Sequence, residues 1–286
     1  MIIGDNDYQY IGEYIISKDK LEISELEVKK PLKYEKFNIK NTTFYYSEHI
    51  TFKYNEDIST LDIYQSAPGA RAFFNKGTLK DININFHGYD SKITSEIPNF
   101  PIDKRGLTGC LSFIHLNLKN ITIKSNKSTC EDAVNLINVQ GSINKIDIEN
   151  SYSDGLDVDF SNVEINNIHV ASSKNDCVDL SAGNYKLNKL NLTNCGDKAL
   201  SVGEKSILML NEITIKDSNI GIASKDSSIS KLNNAYLNNM KTCVSAYNKK
   251  QEFFGSLIEI KNIKCKDYLV KIDTDVNSKI IIENEL

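Results

Sequence analysis

The chain has 286 residues, 40% hydrophobic and 25% charged, values of a folded globular chain that exclude wholesale disorder. Its 34 basic and 38 acidic residues leave a net charge of -4, which argues against a general nucleic-acid binder. No apolar run approaches the ~18 residues of a spanning helix, so no membrane span is expected.

The opening stretch, MIIGDNDYQYIGEY, has neither a basic start nor an apolar core. No secretion signal is expected, and a cytoplasmic location follows as the expectation. Residues 1–68 contain alternating stretches such as FNIKNTTFYYS and HITFKY and read as a β-rich N-terminal cap. Residues 69–100 hold GTLKDININFHG, an early coil followed by an excursion through Pro98 and Pro101.

From about residue 108 the chain repeats itself. The pieces TGCLSF, EDAVNLI, SDGLDVDF, NDCVDLS, DKALSVG, NIGIASK and TCVSAYN align on Cys110, Ala133, Gly155, Cys177, Ala199, Gly221 and Cys243, at successive spacings of 23, 22, 22, 22, 22 and 22. The next position is always apolar (Leu111, Val134, Leu156, Val178, Leu200, Ile222, Val244), and the one two further on is mostly so. That alternation marks a short strand with one face inside. Two further strands fit in each unit, one series reading INKIDI, INNIHV, LNKLNL, LNEITI and LNNAYL, the other marked by Val163, Tyr185, Ile207 and Ile229. Three strands per unit with Asn, Ser, Asp and Gly at the corners predict an all-β, right-handed parallel β-helix: a single domain over 1–286, with coils over 69–265 and a C-terminal cap over 266–286. The unit after Cys243 is longer and carries Tyr247–Ser256, the candidate for a protruding loop.

The six cysteines are expected to be free, small packing residues. Cys110, Cys177 and Cys243 share a column but lie three coils apart, about 14 Å at strand spacing, beyond the reach of a disulfide. Cys130 and Cys195 sit three or four residues before their column position. Free thiols agree with a reducing compartment.

The chemistry-bearing pattern is acidic. Immediately before the small residue stand Asp132, Asp154, Asp176 and then Lys198; two after it stand Asn135, Asp157, Asp179 and Ser201, and Asp159 adds one more carboxylate. Unit charges on adjacent coils repel by about 1 kcal/mol in water and about 3.5 kcal/mol at an effective dielectric of 20. A bound cation, nearby lysines such as Lys198, Lys205 and Lys225, or raised pKa values would offset this. Corner aspartates also bond backbone amides at turns, and an outward column can be a solvated face. Gathered carboxylates are equally what acid/base chemistry uses.

The run SDGLDVDFS, NDCVDLSAG, GDKALSVGEKS resembles the pectate-lyase-like superfamily of right-handed parallel β-helices over about residues 105–255. SDG at Ser153–Gly155 and NDC at Asn175–Cys177 are similar to two polygalacturonase motifs, which would make Asp154 and Asp176 water-activating carboxylates. That family's general-acid position reads Asn175 and its histidine position Lys198. Carboxylates on adjacent coils would suit a retaining pair. The superfamily's β-elimination chemistry implies Ca²⁺ held by Asp154, Asp157, Asp176 and Asp179, with Lys198 as base. The expectation is a carbohydrate-active protein with a polysaccharide or oligosaccharide partner, Asp154, Asp176 and Lys198 being catalytic and Asp157, Asp159, Asp179, Lys225 and Arg105 contacting substrate. The alternative is a non-catalytic glycan- or cation-binding or structural module. Arg71 or Arg105 would pair an acidic sugar or a nearby carboxylate. Tyr45, Tyr46, Phe253 and Phe254 either pack or stack on sugar rings, and His169, between Ile168 and Val170, is read as an exposed outward residue.

Overall fold

The computed structural model describes residues 32–89, 103 and 106–286, together with the backbone of four short strands within 1–31. The chain divides into two units, Met1–Lys33 and Tyr34–Leu286. The cap expected over 1–68 therefore spans all of the first unit and the start of the second. The first unit is a four-stranded antiparallel meander of Ile2–Ile3, Tyr8–Ile11, Tyr14–Ser17 and Ile23–Glu25.

The second unit opens with two antiparallel pairs, Tyr34–Ile39 with Asn41–Ser47 and Ile50–Asn55 with Thr60–Gln65. From Ala72 onward the chain winds as a parallel β-solenoid with a coil of about 22 residues and about ten turns. Three parallel ladders run along it. The first contains 109–114, Asp132–Ile137, Asp154–Asp159, Val178–Ser181, 198–202, 220–225, 242–247 and 270–274. The second and third follow in each coil, for example 162–165 and 167–173 within the strand Asn162–Ser173. Residues 266–286, expected to cap the stack, add strands in the same parallel register.

Alternation places the core as the sequence predicts. Leu111, Val134, Leu156, Val178, Leu200, Ile222 and Val244 form one fully buried column, and Phe113, Leu136, Val158, Leu180 and Val202 form the next. Corners fall on residues with left-handed backbone: Asn150, Ser172, Asn194, Asp217, Asn239 and Asp267 recur at one of them with φ between 52° and 63°. Asn and Asp tolerate that region better than most side chains, so their frequency in the sequence follows from the winding. An exposed asparagine column supports the neighbouring bend, Asn188 donating to Asn166 at 2.7 Å and Asn211 to Asn188 at 3.1 Å.

The cysteines overturn the free-thiol expectation: all six are paired, Cys110–Cys130, Cys177–Cys195 and Cys243–Cys265, with Cα atoms 5.2, 5.4 and 6.4 Å apart. Distances along one column do exclude pairing among Cys110, Cys177 and Cys243, but the bonds do not run along a column. Cys195 is in register with Ser173, the residue that closes the preceding coil's third ladder just before the corner leading to Cys177. Cys265 likewise belongs to the third ladder, in register with Leu237. Inward side chains of the third and first ladders meet where the chain turns, so a separation of a few residues becomes a contact rather than a displacement. With every cysteine paired, the thiols lend no support to a reducing compartment.

Candidate functional site

The acidic columns lie on the first ladder, and register stacks them as expected: Asp132 opposite Asp154, Asn135 opposite Asp157, Asp157 opposite Asp179. The residues before the small position form a relay of carboxylate-to-backbone bonds. Asp154 Oδ1 accepts the Asp176 N–H at 2.8 Å, and Asp176 Oδ1 accepts the Lys198 N–H at 2.9 Å. This is the corner role of an aspartate, repeated once per coil. The relay stops where Lys198 replaces aspartate, and the lysine turns back: its Nζ reaches both Asp176 oxygens at 3.3 and 3.4 Å and also bonds Asp197. Asp176 and Lys198 are both buried.

The second column is shielded rather than solvated. Asn135 and Ser201 are buried, and Asp157, Asp159 and Asp179 are half-buried. Asn135 Nδ2 donates to Asp157 at 2.9 Å and is 3.5 Å from Asp159. Lys225, two coils above Asp179 and itself buried, runs back along the stack to place Nζ 3.6 Å from Asp179 Oδ2. Gly203 makes that path possible, since a β-carbon there would come within 2.8 Å of Lys225 Cε. Several oxygens on this face have no hydrogen-bond partner among the described residues: Asp132 Oδ2, Asn135 Oδ1 and Asp179 Oδ1.

Burial and mutual repulsion raise the carboxyl pKa values. Asp132 and Asp157 lie well above the usual carboxylate range, chiefly through desolvation and then through neighbouring carboxylates. Asp154 is pushed up to about 7 by desolvation and by Asp176. Asp176 is raised by desolvation, with Lys198 working against the rise. Burial pulls Lys198 down, but Asp176 and Asp197 outweigh it, and the ammonium is held above its ordinary value. Lys198 is therefore a fixed cation at neutral pH, the reverse of what a lysine base needs.

A consequence follows for stability. A carboxyl with a folded pKa raised to about 7 binds its proton more tightly in the folded state than in the unfolded one, where the value is about 3.9. Its stabilising contribution is complete below pH ~4 and is lost as pH rises through ~7. Thermal melting between pH 4.5 and 8 is expected to show a falling midpoint, and Asp154→Asn is expected to shrink that fall. An Asp154→Asn curve parallel to wild type would refute this assignment.

Of the other expected site residues, Arg105 lies outside the described residues. Arg71 is buried, with Nη1 donating to the Thr108 and Gly109 carbonyls at 2.8 and 3.2 Å, so it braces the backbone. Tyr45 stacks on Phe73, whereas Phe254 is 80% exposed. The Tyr247–Ser256 loop is tied down: Asp226 Oδ1 accepts the Lys249 and Lys250 N–H groups at 2.7 and 2.8 Å, and Lys250 pairs with Glu204. A surface depression of about 620 Å³ lies on the third-to-first corner, lined by residues including Asn194, Asp217, Asn239, Lys241 and Tyr268. None of the first-ladder carboxylates lines it.

No protein-family model, curated protein or solved structure matches the chain. The parallel β-solenoid stands on its own geometry.

Proposed function

We propose that this protein is a carbohydrate-active β-helix protein of the pectate-lyase-like kind, cleaving or modifying a polysaccharide along the first-ladder groove. The observation that carries the reading is the stacking of the half-buried Asp154 carboxyl, which burial pushes up to about 7, against the ion-paired Asp176. A carboxyl poised near neutrality serves as general acid or base. In this reading Asp154 donates its proton to the glycosidic oxygen as the bond to the anomeric carbon breaks. Water adds its hydroxyl to that carbon, and the water's other proton returns to Asp154. Asp176 and Lys198 act as positioning residues, because each is buried and committed to the other. Asp157, Asp159 and Asp179 contact the sugar. The charged Lys198 favours acid/base cleavage over lysine-driven elimination.

The test is mass spectrometry of products from acidic and neutral polysaccharides, with and without Ca²⁺. Product carrying the mass of one added water is expected, and Asp154→Asn should reduce its rate by about 10²-fold or more. Unsaturated product would replace hydrolysis with elimination, and undiminished turnover in Asp154→Asn would remove Asp154 from the site.

A second reading, a cation-binding module, is favoured by the unpartnered oxygens of Asp132, Asn135 and Asp179. Of the four expected Ca²⁺ ligands, Asp157 and Asp179 fit best. Asp176 fits poorly, since both its oxygens face Lys198. Absence of any product, together with a Ca²⁺-dependent rise in melting midpoint that Asp179→Asn abolishes, would favour this reading.

A further inference from the structure

The outward face of the third ladder holds a cluster separate from the groove. Asp147 and His169 are register partners on adjacent coils. Glu149, two residues beyond Asp147, points to the same face. One imidazole nitrogen and one oxygen from each carboxylate lie within 4.8 Å of one another. The strand positions are rigid, because the flanking Ile146, Ile148, Ile168 and Val170 are each at most 1% exposed. Lys145 Nζ donates to Asp147 Oδ2 at 2.6 Å, which orients the carboxylate and leaves Oδ1 available. The His169 ring and the Glu149 carboxylate have no hydrogen-bond or ion-pair partner among the described residues.

We propose that Asp147, Glu149 and His169 form a binding site for a first-row divalent transition cation, with Zn²⁺ as the probe. An imidazole with two carboxylates is a nitrogen–oxygen set suited to such ions, whereas Ca²⁺ and Mg²⁺ take oxygen ligands. Bonds of about 2.0–2.2 Å to a tetrahedral ion require the three ligand atoms to close to about 3.4 Å. Rotation of the exposed Glu149 and half-buried His169 side chains supplies that closure without moving the ladders. The ion's charge offsets the repulsion between Asp147 and Glu149. Lys145, bonded to Asp147, is then the outer partner that metal-ligating carboxylates usually have. Lys124, in register with Asp147 on the preceding coil, and Lys145 are the cations the metal must compete with. Asn191, in register with His169 on the following coil, and water are the candidates for the remaining coordination.

The experiment is calorimetric titration of the intact protein with Zn²⁺, paired with visible absorption on adding Co²⁺, for wild type, His169→Ala and Asp147→Asn. All substituted side chains face outward, and circular dichroism checks that each variant is folded. Wild type is expected to bind one Zn²⁺ at this site and to develop a Co²⁺ d–d band. Both variants should weaken Zn²⁺ binding about ten-fold or more and lose the band. Zn²⁺ binding of equal strength in wild type and His169→Ala would assign it to His49, His87, His115 or the acidic groove and overturn the proposal, as would no binding to wild type. Asp154→Asn should leave Zn²⁺ binding unchanged, so this site stands or falls independently of the groove.

Discussion

Replacing Lys198 by Met is expected to destabilise the protein by about 3 to 5 kcal/mol at neutral pH, the range for removing one partner of a buried ion pair. The side chains of Lys198 and Asp176 are 11% and 5% exposed, so solvent screens the pair little. Without the ammonium, Asp176 keeps its backbone bond but stands buried beside Asp179 and Asp197, and its pKa rises further. The sign of the pH dependence follows. A raised folded-state pKa makes the deficit largest at high pH and smallest once the carboxyl is protonated. Denaturant unfolding at pH 5 and pH 8 measures both quantities. The double variant Asp176→Asn/Lys198→Met should recover much of the loss, because the one carboxylate then left without its lysine, Asp197, is 42% exposed and keeps its hydration. A single variant as stable as wild type at pH 8 would show that the pair does not hold the groove.

Opening the three disulfides is expected to have a comparable effect per bond. Loops of 20, 18 and 22 residues are closed by them, and chain-entropy arguments give about 3 kcal/mol for each. The bridges do not serve equal purposes. Cys177 immediately follows Asp176, and Cys195 precedes Lys198 by three residues, so that bridge fixes the corner presenting the ion pair. The double variant Cys177→Ser/Cys195→Ser is expected to lower both the melting midpoint and any groove-dependent activity. Cys243→Ser/Cys265→Ser should lower the midpoint alone. Alkylation of the unreduced, denatured protein should label no cysteine, and labelling of the Cys177 or Cys195 peptide would remove the bridge on which this contrast depends.

The coil was legible because its evidence is periodic. Every 22 residues the same small, apolar and polar positions return, and parallel stacking translates that spacing directly into the columns of Leu156, Val178 and Leu200. The juxtaposition of Asp154 with Asp176 was readable for the same reason. The cysteine pairing was not, because the repeat defines neighbours along a column, whereas the bridges cross between ladders at a corner. Lys225 shows a related limit. Its column position is plain, but the long reach back over Gly203 to Asp179 depends on side-chain path and on the space a glycine leaves. His169 does face outward, but it is half-buried where the sequence reading had it exposed. Its partner Asp147 lies one coil away, and its significance emerges only when both third-ladder faces are laid side by side.

The regular relay along the first ladder also makes the groove a ruler graduated in coils. Each 22-residue unit contributes one rung of about 4.8 Å, so copying residues 154–175 in place would lengthen the acidic tract by a single rung while preserving the register on either side. Deleting one residue would instead exchange the inner and outer faces of a strand. Variation in how much ligand such a groove spans would therefore come in whole-unit steps, by duplication or loss, and not by gradual stretching.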